Sequence, residues 1–109
     1  MSVGLYKYNG DINDDNSEVI ICEPIASQRI YDTYIIPAIE ELNIFYFQDD
    51  AEIRLGNLED VLGEIQLLLD WVQSKVEGED KLFLSDRLIH IRGVIVDALK
   101  TSDDILYIF

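Results

Sequence analysis

A chain of 109 residues and 12.5 kDa is the size of one domain, taken here as residues 1–109. Its 22 acids against 8 bases leave a net charge of −14, yet 49% of its residues are hydrophobic, which supplies a core and excludes a disordered acidic tail. Six glycines, two prolines and one cysteine exclude collagen-like and disulfide-rich classes.

In chain order, Gly4 to Tyr8 alternates and is rich in tyrosine, which predicts a first strand. Asn9-Gly10 through Asn16 reads as an acidic, turn-rich loop. Glu18 to Cys22 is β-branched and continuously apolar, the pattern of a buried strand, and Pro24 is expected to end it. Ser27 suits the cap of a helix reaching about Leu42, with Tyr31, Ile35, Ala38, Ile39 and Leu42 on its apolar face. Pro37 lies inside that pattern and predicts a kink or break.

Asn43 to Gln48 and Ala51 to Leu55 read as two strands joined by a hairpin turn at Asp49-Asp50, with Ala51, Ile53 and Leu55 inward. After Gly56, Asn57 is a good cap for a helix over 58–76. Leu58, Val61, Leu62, Ile65, Leu68, Leu69, Val72 and Val76 fall on one stripe, with Leu67 and Trp71 off it. Gly78 breaks the chain. A last helix from Leu82 or Ser85 to Lys100 carries its main face on Leu84, Leu88, Ile91, Ile95, Ala98 and Leu99. Leu82, Ile89 and Val96 form a second strip, which suggests that the last two helices pack on each other. Ile105 to Phe109 is a final strand.

The expected fold is therefore α+β, in the order β-β-α-β-β-α-α-β. A mostly antiparallel sheet of about four to five strands carries about three helices on one face.

The charge is uneven. Residues 1–74 carry 15 acids and 3 bases, whereas residues 75–109 carry 7 acids and 5 bases. No base stands between Lys7 and Arg29, or between Arg29 and Arg54. Such a field repels nucleic acid and anionic membrane and steers cationic proteins into contact. The plainer explanation is solubility alone. The acids singled out for a partner surface are Asp11, Asp14, Asp15, Asp49, Asp50 and Glu52.

Catalytic motifs are weak. Asp11 to Asn16 begins like a calcium loop, but Asn16 replaces the turn glycine and Cys22 the bidentate glutamate, so a solvated loop explains it better. Cys22 and His90 are the one thiol–imidazole candidate, yet Cys22 reads as a small buried hydrophobe and His90 as a surface residue. Adjacent carboxylates such as Glu40-Glu41 point in different directions on a helix and fit solvated faces. No enzyme activity, cofactor or metal is expected.

Leu67 and Trp71 offer an interface anchor, including a homodimer contact, against the expectation that another layer of the chain covers them. Met1 to Lys7 lacks the form of a signal peptide and no apolar run spans a membrane, so a cytoplasmic location is expected.

The acidic stretches Asp11–Glu23 and Asp49–Glu52, set beside an apolar core, resemble the small acidic immunity proteins of bacterial polymorphic and contact-dependent toxin systems. The likeness is of type over the whole chain and includes no family-specific motif. It implies an inhibitor that neutralises a basic protein toxin, typically a nuclease, by covering it with acids and aromatics. The alternatives are a DNA-mimic regulator and a small structural or adaptor subunit. Exposure of Leu67, Trp71, Leu82, Ile89 and Val96 together favours the adaptor.

Overall fold

The computed structural model describes residues 2–9 and 18–109. The chain folds as α+β in the order β-β-α-β-α-α-β. Strands β1 (Ser2–Asn9), β2 (Glu18–Ser27), β3 (Ala51–Arg54) and β4 (Ile105–Ile108) form one antiparallel sheet with spatial order β2-β1-β4-β3. A helix over residues 28–42, with a π-helical stretch inside it, is α1; α2 is Leu58–Lys75 and α3 is Gly78–Ala98. The helices cover one face of the sheet.

Helix and strand periodicities meet in one core. Val3, Leu5, Ile53, Leu106 and Ile108 come from the sheet, and Val61, Ile65, Leu68 and Val72 from α2. Leu84, Leu88, Ile91 and Ile95 come from α3, and Ile35 and Ala38 from α1. Leu62, expected inside, is half-buried at the margin of the α2 stripe.

Charged side chains tie the layers. Glu23 on β2 receives His90 at 3.1 Å and lies 3.6 Å from Arg87, both on α3. Asp80 at the start of α3 accepts from the Tyr34 hydroxyl of α1 at 2.9 Å. Lys7 of β1 donates to the Ala98 carbonyl at the end of α3 and to Asp104 at 2.8 Å. Asp104 also accepts from the backbone N–H groups of Lys100 and Thr101. The Lys7 hydrogen bond, then these two, hold its carboxyl well below the usual carboxylate range.

Ser27 caps α1 as expected, accepting from the Ile30 N–H. Pro37 neither breaks nor sharply ends that helix. One π-helical stretch, Tyr31–Ile35, precedes it, and the Ile36 N–H reaches the Tyr31 carbonyl five residues back. The widened turn absorbs the missing proline donor.

Several expectations are corrected. Pro24 does not end β2, which runs on to Ser27. It sits in an edge strand beside a bulge, where Val3 pairs with Ala26 and Gly4 with Pro24, so no ladder donor is lost. The edge position also leaves Val19, Ile20 and Cys22 exposed rather than buried. Asn43–Gln48 is a loop, not a strand, so the sheet has four strands. Leu55 begins a 3-10 turn and is exposed. Asn57 gives no side-chain cap to α2, because its Oδ1 accepts from the Arg54 N–H at 3.1 Å. α3 starts at Gly78, where a φ of 71° makes the turn, ahead of the expected Leu82 or Ser85.

Candidate functional site

The loop between α1 and β3 is organised by one carboxylate. α1 ends at Asn43, whose left-handed φ of 57° stops the helix as asparagine readily does. Three successive N–H groups then point at Glu64 of α2. Phe45 donates to Oε2 at 2.7 Å, and Tyr46 and Phe47 to Oε1 at 3.0 and 2.9 Å. A carboxylate accepting several N–H groups is a strong clamp. It replaces the cross-strand ladder that a strand over Asn43–Gln48 would need.

The clamp fixes which rings face where. Ile44 and Phe47 enter the core, while Phe45 stands 69% exposed, edge-on to Tyr46 at 4.9 Å between centroids. The Asp49 N–H donates to the Tyr31 hydroxyl at 2.8 Å and the Asp50 N–H to the Ile108 carbonyl at 2.7 Å, which delivers the chain into β3. Burial is the chief reason that the Tyr31 hydroxyl titrates above its usual range. Asp50 is left-handed with a φ of 66°.

The segments around this loop are rich in acids, and their bases, Arg29, Arg54 and Lys75, stand at the ends of the acidic runs. Between Arg29 and Arg54, and again between Arg54 and Lys75, the chain has no base. Those segments supply α1, the loop, β3 and nearly all of α2. Asp49 lines a shallow depression of about 340 Å³ with Glu40, Gln28, Tyr31, Ile36, Ile39 and Gln48. Glu41 of α1 accepts from the Trp71 indole N–H of α2.

The six acids named from sequence separate into three groups. Asp49 and Asp50 sit together at the exposed end of the loop. Glu52 lies on β3 opposite Tyr107 and pairs with Arg54 at 2.6 Å, so its charge is offset locally. Asp11, Asp14 and Asp15, with the calcium-loop comparison at Asp11–Asn16, lie outside the described residues. Phe45 and Glu64 are not singled out from sequence, where Glu40 reads only as one of two adjacent solvated acids. The signal was available in Asn43, a residue suited to a left-handed helix end, followed by an apolar run that does not alternate.

Leu67 and Trp71 part company. Trp71 is half-buried against the core and held by Glu41, whereas Leu67 is 46% exposed, so no second layer covers it. Leu82, Ile89 and Val96 are exposed as well: α2 and α3 meet through their main faces, and this strip stays outside. At the seam, Gln73 donates to Ser85 and Arg92 to Gln66.

Cys22 and His90 do not meet. Cys22 is opposite Tyr6 on the face away from the helices, while His90 reaches Glu23 on the helical side. Among the described residues, no group of three or more His, Cys, Asp or Glu is arranged to hold a metal ion. No described helix is long and apolar enough to cross a membrane. No protein-family model, no curated protein and no solved structure matches this chain.

Proposed function

We propose that this chain is an immunity-type inhibitor: a binding protein, not an enzyme, that captures a cognate basic protein toxin through an acidic surface. A nuclease is the toxin class whose chemistry fits best, because a protein that grips polyphosphate carries a basic cleft. The observation that supports the reading is the run of residues 30–53, which holds six acids and no base and presents exposed Phe45 in the same loop as exposed Asp49 and Asp50. Acids steer encounter, and an exposed ring held by a fixed backbone anchors the complex at a reduced ordering cost. Asp49 and Asp50 lead the contact, Asp11, Asp14 and Asp15 add to the field, and Glu52 adds little while it is paired with Arg54.

The test begins with partner recovery from the source cells and its identification, then measures association rate across a salt series. A cationic partner whose association slows with salt supports the reading. An acidic or neutral partner, or a rate indifferent to salt, contradicts it. A second reading, a small structural or adaptor subunit, has partial support: Leu67, Leu82, Ile89 and Val96 are exposed, but Trp71 is half-buried, so the five are not exposed together. Its signature is a stable stoichiometric assembly that Ile89→Asp disrupts and Asp49→Asn does not.

A further inference from the structure

The face of the sheet turned away from the helices is aromatic. Register places Cys22, Tyr6, Tyr107 and Glu52 in one row across all four strands, and pairs Tyr8 with Val19. Gly4 and Phe109 exchange hydrogen bonds of 2.8 and 3.1 Å. Tyr6 stacks on Phe109 at 4.6 Å with planes 9° apart, and Tyr8 meets Tyr107 edge-on at 6.0 Å. Gly4 makes this possible, since a Cβ there would come within 3.1 Å of the Tyr6 ring. The result is a tile of stacked and edge-on rings, with Phe109 still 41% and Val19 52% exposed.

Charge narrows the choice of occupant. Among the described strand residues on this face, Glu52 and Arg54 are the charged pair, and they neutralise each other. A cationic partner finds little to attract it here. A second copy, repelled by a chain of net charge −14, meets no uncompensated acid among those residues. Aromatic faces also pack on themselves through offset and edge-to-face contacts, and one patch meeting itself closes a two-fold dimer.

We propose that the open face of the sheet is a self-association surface whose occupant is a second copy of this chain. Four strands span roughly 19 Å, which places the contact at the small end of specific interfaces and makes the dimer weak and concentration-dependent. The inference stands independently of toxin capture.

Sedimentation equilibrium of the full chain, from about 10 µM to about 500 µM at low and high salt, tests it. The dimer share rises with concentration, and rises again with salt as screening removes the repulsion between copies. Phe109→Asp weakens association at least about tenfold with unchanged circular dichroism, and Leu67→Asp leaves it unaltered. Val19→Asp, elsewhere on the tile, serves if Phe109→Asp fails to fold. A monomer at every concentration in high salt overturns the proposal. So does a dimer that survives the folded tile variant, or one lost in Leu67→Asp, which would place the contact at Leu67 and Trp71 instead.

Discussion

The loop around Phe45 and the open face of the sheet both present aromatic rings to solvent, but their surroundings differ. Around Phe45 the neighbouring segments carry acids and no base. On the sheet face, Glu52 is answered by Arg54 at 2.6 Å. The rings differ too. Phe45 is a single projecting anchor, while Tyr6 stacks on Tyr8 and Phe109 and Tyr107 meets Tyr8 edge-on. An aromatic residue says that a surface can be dry; the charge beside it says what can approach. Opposite salt dependences follow, with capture at the loop weakening as salt rises and self-association at the sheet strengthening.

The largest expected effect lies beneath both surfaces. Leu69→Ala removes a buried α2 side chain and should cost about 2–5 kcal/mol in chemical denaturation, loosening loop and sheet alike. Glu64→Ala separates them. It strips the partner from three backbone N–H groups and should cost about 2 kcal/mol, while weakening capture through Phe45 and leaving the sheet dimer intact. Equal loss of both associations would show that the two regions are not independent.

Asp104→Asn acts on the sheet side, where Lys7 joins β1 to the turn before β4. The folded carboxyl titrates below the ordinary value of about 3.9, so the unfolded chain takes up the proton first. Its stabilisation is present above about pH 4 and is lost as pH falls through the folded value. The variant should therefore melt earlier than the parent at neutral pH, and the gap in melting temperature should close in acid.

The smallest stability effect belongs to the acids. Asp49→Asn, Asp50→Asn and Glu52→Gln together should change stability by less than about 1 kcal/mol, because exposed charges contribute little to folding. The same variant should associate with its cationic partner several-fold more slowly and with a flatter salt dependence.

Much of this was legible from spacing. The α2 stripe, the α3 face and the inner strands β1 and β4 follow from periods that burial enforces, and the Ser27 cap from its side chain. The errors fall where tertiary partners replace local ones. Asn43–Gln48 has the apolar content of a strand, but its N–H groups are satisfied by Glu64, a residue far along the chain that no local pattern announces. Val19 to Cys22 has the composition of a central strand and occupies an edge, because strand order is set by β4 pairing with β1. Leu82, Ile89 and Val96 read as a second packing face, yet α2 is engaged through its own main stripe. The acids were visible as acids; which of them lacked a base was decided only by the fold, as Glu52 and Arg54 show.

The central claim is capture by an acidic surface, and association kinetics of the recovered partner across a salt series test it most directly. The account expects the rate to fall steeply between about 10 mM and about 500 mM salt, with a shallower slope for Asp49→Asn, Asp50→Asn. A rate that ignores salt, or a slope that the double variant leaves unchanged, would contradict it.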